Sequence, residues 1–290
     1  MIEKKITKLY RAAGKHWVGD GFHVEGIFDY QTNPDEFSPF LLLDFAAGEY
    51  FAPTTKRRGV GQHPHRGFET VTVVYAGEAE HGDSRGNGGI IGPGDVQWMT
   101  AGGGIIHEEY HSAEFAKKGG MFEMVQLWVN LPKAHKMTPP KYQHLMRDII
   151  PVVTMAQGEV KVIAGTLNDI MGPAKTFSPV NVWNVRVNPN STLQLAIPQE
   201  QTTLALVVRG SVRNDEQLLT QGVLLQFDRN GDTLTLTTGD DEAWVLVLTG
   251  ERIAEPVVGQ GPFVMNSAEE IYQAMNDFEK GTFLQEVDTE

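Results

Sequence analysis

Short apolar runs alternate along this chain with clusters of turn-forming residues, and helical periodicity is rare. Seven segments are short and rich in β-branched or aromatic residues: Thr70 to Tyr75, Met121 to Val129, Val160 to Ala164, Thr192 to Ile197, Leu204 to Val208, Thr233 to Thr237 and Ala243 to Leu248. Each predicts a strand. Between them lie clusters such as Asp83-Ser84-Arg85-Gly86-Asn87-Gly88-Gly89 and Asp228-Arg229-Asn230-Gly231-Asp232. The pattern predicts an all-β sandwich or barrel architecture. One short C-terminal helix stands out. Ser267 can cap it with Glu270 three residues on, Ile271, Ala274, Met275 and Phe278 share a face, and Gly281 can end it.

A length of 290 residues suits two domains, each able to bury its own core. The Pro139-Pro140 pair and the stretch from Lys141 to Pro151 read as a connection, so the expected division is 1–140 and 141–290. Hydrophobic residues at 41% and charged residues at 21% match the ordinary soluble mixture. The start, with Lys4, Lys5 and Lys8, carries no apolar stretch long enough for a secretory signal, and the apolar run from Phe40 to Leu43 is cut by Asp44. The expectation is a cytoplasmic protein with no membrane span. A net charge of -13 opposes attraction to a phosphate backbone, so direct nucleic-acid binding is not expected. Without cysteine there is neither a disulfide nor a thiolate ligand, and any metal site must use imidazole and carboxylate.

All nine histidines lie at or before His144, so only the first half can bind a metal through imidazole. Residues two apart in a strand point to one face, which lets His63 and His65 aim at a common point. His107 and Glu109 repeat that spacing. A His-x-His pair by itself is more often structural, but a second pair and its glycine-rich approach, Gly102-Gly103-Gly104, strengthen the metal reading. No Gly-Lys-Ser/Thr follows those glycines, which sets aside a phosphate cradle. Three imidazoles and one carboxylate suit Fe(II) and leave Mn, Co, Ni, Cu and Zn open.

The segments His63-Pro64-His65-Arg66-Gly67-Phe68-Glu69-Thr70-Val71-Thr72, Asp83-Ser84-Arg85-Gly86-Asn87 and Gly94-Asp95-Val96-Gln97-Trp98-Met99-Thr100-Ala101-Gly102 resemble the N-terminal cupin of the pirin family. The stretch from Glu255 to Asn266, Glu-Pro-Val-Val-Gly-Gln-Gly-Pro-Phe-Val-Met-Asn, is similar to that family's C-terminal signature. The resemblance implies two cupin (double-stranded β-helix) barrels packed face to face. It implies mononuclear iron in the N-terminal one, held by His63, His65, His107 and Glu109, a C-terminal barrel lacking metal ligands, and a monomer by default. Glu108 is expected to point outward. In the broader cupin pattern the carboxylate four residues after the second histidine is a ligand, here Glu69, and even alternation from His65 keeps it on the same face. The resemblance favours Glu109 as ligand and leaves Glu69 as a hydrogen-bond acceptor behind an imidazole.

The resemblance further implies quercetin 2,3-dioxygenase activity, in which O2 opens a flavonol ring and carbon monoxide is lost, with Glu109 as the base that takes the hydroxyl proton. Its alternative is a non-catalytic, iron-dependent redox sensor that binds a regulatory protein partner in transcription or metabolism. A third reading is another cupin reaction on a small acidic or sugar-like substrate. His81 and His111 are candidates to enter the pocket, with a loop or surface position the commoner case for each. Trp98, Met99, Phe68 and Trp128 are candidates for cavity walls, with core packing the commoner role. No substrate contact is assigned, and His16, His23, His135 and His144 carry no functional expectation.

Overall fold

Strands form over all seven predicted segments in a computed structural model that describes residues 2–214 and 217–284. Thr70 to Tyr75, for example, lies inside Phe68–Ala76, and Met121 to Val129 inside Gly120–Asn130. α-Helix is confined among the described residues to three short pieces, of which Ala268–Glu279 is the longest. Ser267 Oγ accepts from the Glu270 amide and Glu270 accepts from the Ser267 amide, so the helix starts on the predicted capping box. None of the helices is long and apolar enough to cross a membrane.

The chain divides into two compact units, and the division is not linear. Gly14–Arg147 joins with Ile253–Glu290, and Met1–Ala13 joins with Asp148–Arg252. This differs from the expected split at 140/141 in three places. Ile6–Tyr10 pairs antiparallel with Leu224–Phe227 and so forms the edge strand of the seven-stranded sheet in the second unit. The stretch expected to be a connection begins as a strand, Lys141–Leu145, that pairs with Val96–Thr100. The C-terminal helix belongs to the unit that carries the histidines.

Each unit contains a seven-stranded and a four-stranded antiparallel sheet. In the histidine-bearing unit the larger sheet runs Lys141–Leu145, Val96–Thr100, Phe68–Ala76, Gly120–Asn130, Phe40–Phe51, Phe22–Phe28, Lys15–Val18, and the smaller runs Gly59–His65, Ile105–His111, Ala79–Asp83, Gly88–Ile91. Phe22, Val24, Val74 and Met124 from the first meet Ala79 and Ile91 from the second in a common core. The other unit repeats the arrangement, with Thr192–Ala196 and Thr233–Thr237 adjacent in its four-stranded sheet. There Leu193, Leu195, Leu234 and Leu236 pack in an apolar cluster with Trp183 and Val245. Leucines thus occupy the strands that, by place in the sheet order, correspond to those bearing His63, His65, His107 and Glu109.

Candidate metal centre

The four-stranded sheet gathers the candidate ligands by register. His107 is the direct cross-strand partner of His63 on one side and of Asp83 on the other, and Glu109 faces His81. Directly opposed residues share a face, as do residues two apart, so one face of the sheet carries His63, His65, His81, Asp83, His107 and Glu109. Pairing with Gly59–His65 slips between His107 and Glu109, where Glu109 comes opposite Val60, while pairing with Ala79–Asp83 stays regular.

Potential ligand atoms of His63, His65 and His107 all lie within 4.8 Å of one another, and so do those of His81, His107 and Glu109. The two groups share His107. Ring centroids of the first group are 4.8 Å (His63 to His65), 4.2 Å (His63 to His107) and 4.7 Å (His65 to His107) apart. His63 Nδ1 donates to the Gly61 carbonyl at 2.8 Å, which leaves Nε2 as a lone pair. His65 Nδ1 and His107 Nε2 are buried without a hydrogen-bond partner. Burial lowers the pKa of all three rings, and neighbouring imidazoles lower His65 and His107 further, so they stand neutral. Glu109 has no hydrogen bond to offset its desolvation, and its carboxyl is pushed up to about 7. Neutral imidazoles with orphaned lone pairs and an uncompensated carboxyl suit a divalent cation.

His81, for which a loop or surface position is the commoner expectation, is buried and stands against His107, with their Nδ1 atoms 3.4 Å apart. It also meets Gln97 Nε2 at 2.9 Å and stacks on Tyr142 at 5.0 Å between centroids. Burial pushes it down to about 4 even though Asp83 acts the other way. Its neighbour Asp83 organises the loop singled out in the sequence, accepting from the Arg85 and Asn87 amides at 2.8 and 3.0 Å. His111 is buried too, but in aromatic packing with Phe51 and Phe122, and its Nε2 donates to the Gly21 carbonyl at 2.8 Å.

Glu69 is not part of either donor group. Arg66 and Gly67 interrupt the strand between His65 and Phe68, and Gly67 adopts φ +92°, which ends the even alternation expected to carry Glu69 onto the histidine face. A side chain on Gly67 would collide with the Val264 carbonyl. The Glu69 carboxylate instead accepts from Thr100 Oγ1 at 2.7 Å, and no imidazole is among its hydrogen-bond partners. Glu108 turns toward Arg57, 3.4 Å away. Arg66 ties the site to the C-terminal segment: its guanidinium donates to the Gly103 carbonyl at 2.7 Å and to Asp277 at 2.7 Å.

A cavity of about 330 Å³ opens on the cluster, lined by His63, His65 and Glu109 together with Val24, Leu42, Met124 and Trp128. That volume is at the small end of ligand pockets. Trp128 therefore forms a wall, with Phe68 stacked behind it at 4.2 Å. Trp98 and Met99 are fully buried and are not lining residues.

Comparison with known proteins gives the family and the fold. The model of the pirin family matches residues 21–129, and that of the pirin C-terminal cupin domain matches residues 182–284. The chain belongs to the pirin family. Among pirin relatives, a Pseudomonas aeruginosa protein named "Putative quercetin 2,3-dioxygenase" is 51% identical over 97% of this chain and 99% of its own length. A pirin-like protein of Caulobacter vibrioides is 38% identical over 85% of this chain and 88% of its own. The crystal structure of an Acinetobacter baumannii quercetin 2,3-dioxygenase superposes with a TM-score of 0.92 at 48% identity, covering 97% of this chain and 98% of that one. The pirin fold of two cupin domains is therefore the fold of this chain.

Proposed function

We propose that this chain is a mononuclear-iron dioxygenase that opens a flavonol ring with O2 and releases carbon monoxide, the quercetin 2,3-dioxygenase reaction. The observation that carries the reading is the apolar cavity with His63, His65 and Glu109 in its wall and the partnerless His107 Nε2 behind them. The names borne by the Pseudomonas aeruginosa and Acinetobacter baumannii relatives support it. In this reading His63, His65, His107 and Glu109 hold Fe(II), and Mn, Co, Ni, Cu or Zn would fit the same donors. The bound cation supplies Lewis-acid activation of a flavonol oxygen.

The protein's own part is to orient and to move a proton. Gly61 fixes His63 in the tautomer that points Nε2 away from the backbone carbonyl. Leu42, Met124 and Trp128 exclude water and accept the apolar faces of an aromatic ring. Glu109, whose carboxyl lines the same cavity, is the group that would accept the flavonol hydroxyl proton. Iron-reconstituted protein should consume quercetin and O2 together. Glu109→Gln should lower turnover more than it lowers iron content, by about 10²-fold or more if proton transfer limits the rate. An undiminished, metal-independent rate in His63→Ala would remove this function.

A further inference from the structure

The cavity wall opposite in character to the imidazole cluster carries one acid. The Phe40–Phe51 strand presents Leu42 and Asp44 to the cavity, two residues apart on one face. Their cross-strand neighbours on Gly120–Asn130 are Trp128 and Gln126, both cavity-lining as well. The wall is therefore an apolar pair, Leu42 with Trp128, followed by a polar pair, Asp44 with Gln126.

Neither polar group is consumed by the fold. Asp44 has no hydrogen bond among the described residues, although burial pushes its carboxyl up to about 6. Its neighbours by charge are His16, which lowers it, and Asp29, which raises it. His16 and Asp44 both border Gly26: a Cβ there would lie 3.4 Å from Asp44 Oδ1 and from His16 Cε1, in ordinary contact with each. That exposed imidazole makes no hydrogen bond to the acid, so a structural ion pair does not account for it. Gln126 Oε1 accepts from Thr72 Oγ1 at 2.9 Å, which fixes the amide and leaves its NH2 as the available donor. An unpartnered carboxyl in an apolar wall costs stability, and a ligand hydroxyl removes the cost by donating to it.

We propose that Asp44 determines specificity in this cavity by accepting a hydrogen bond from a ring hydroxyl of an aromatic ligand, with Gln126 NH2 donating to an adjacent ligand oxygen. Resting on the flavonol reading above, this assigns the ligand two polar ends: one oxygen at the histidine cluster and a second, hydroxylated position at Asp44. The ligand class is a polyhydroxylated aromatic, and an otherwise identical molecule lacking the distant hydroxyls is discriminated against.

The test is anaerobic binding to iron-loaded protein, read by fluorescence quenching, for two flavonols that differ only in hydroxylation of the pendant ring. Wild-type protein should hold the hydroxylated one about tenfold more tightly, the yield of one hydrogen bond to a charged acceptor. Asp44→Leu should bind both alike, at the affinity of the unhydroxylated one, and Asp44→Asn should fall between. Iron content equal to wild type verifies that each variant is folded. A preference that survives Asp44→Leu, or a wild-type protein with none, overturns the inference. Flavonol turnover with a flat preference overturns it alone; a clear Asp44-dependent preference without O2 consumption upholds it and removes the dioxygenase reading.

Discussion

Glu69 allows a sharp test of the electrostatics beside the site. The residue is 1% exposed, its carboxylate accepts from Thr100 Oγ1 at 2.7 Å, and burial pushes the carboxyl from 4.5 up to about 7. The folded state therefore binds an extra proton between those two values. Stability contributed by this group is full below about 4.5 and is lost as pH rises through about 7. A gap of about 2.5 units is worth about 3 kcal/mol. Glu69→Gln keeps the shape and the acceptor for Thr100 but cannot ionise. The variant should match wild type within about 1 kcal/mol near pH 4.5 and exceed it by about 3 kcal/mol at pH 8. Urea denaturation of metal-free protein across that range, taken as the difference between the two proteins, cancels the titration of all other groups. A difference that stays flat with pH, or that grows toward acid, would refute the reasoning.

Two further outcomes follow from neighbouring contacts. Arg66 is buried and bridges Gly103 to the partly exposed Asp277, so Arg66→Ala should cost about 2–3 kcal/mol in the same denaturation assay, and a loss under about 1 kcal/mol would show the bridge to be incidental. His81→Phe preserves the ring stacked on Tyr142 but removes the nitrogen facing His107. Metal affinity, measured by competition with a chelator, should fall about tenfold or more, and an unchanged affinity would reduce His81 to packing.

What was legible in the sequence is what local chemistry controls. The capping box at Ser267 and Glu270, the strand pattern and the two candidate donor pairs, His63 with His65 and His107 with Glu109, each depend on residues close in the chain. Pairing between distant segments left no such trace. Nothing near Ile6–Tyr10 indicates that it will complete a sheet with Leu224–Phe227, more than 200 residues on, and so the linear division at 140/141 missed the exchange of both termini. His81 was obscure for the same reason. Its neighbours are Gly82, Asp83 and a turn, and only the register that sets it opposite Glu109 brings it to the cluster. Glu69 shows the converse. Alternation placed it on the histidine face until Gly67, at φ +92°, broke the strand. Asp44 was visible only as the charge that interrupts an apolar run; that it interrupts a cavity wall is a fact of tertiary structure.

The two barrels together separate what the fold requires from what the site requires. Leu193, Leu195, Leu234 and Leu236 show that the edge strand and its neighbour in a four-stranded sheet of this topology pack well with aliphatic side chains, each contributing about 1.5–3 kcal/mol of burial. His63, His65, His107 and Glu109 stand on the corresponding strands of the other sheet and give up most of that gain. There the two buried nitrogens without partners, His65 Nδ1 and His107 Nε2, and the desolvated Glu109 carboxyl each carry a cost of about 1–3 kcal/mol. A barrel that folds with leucines has no structural need of imidazoles there. The cost is offset only when something electropositive takes up the lone pairs, so the polar face is best understood as built for a ligand and tolerated by the fold.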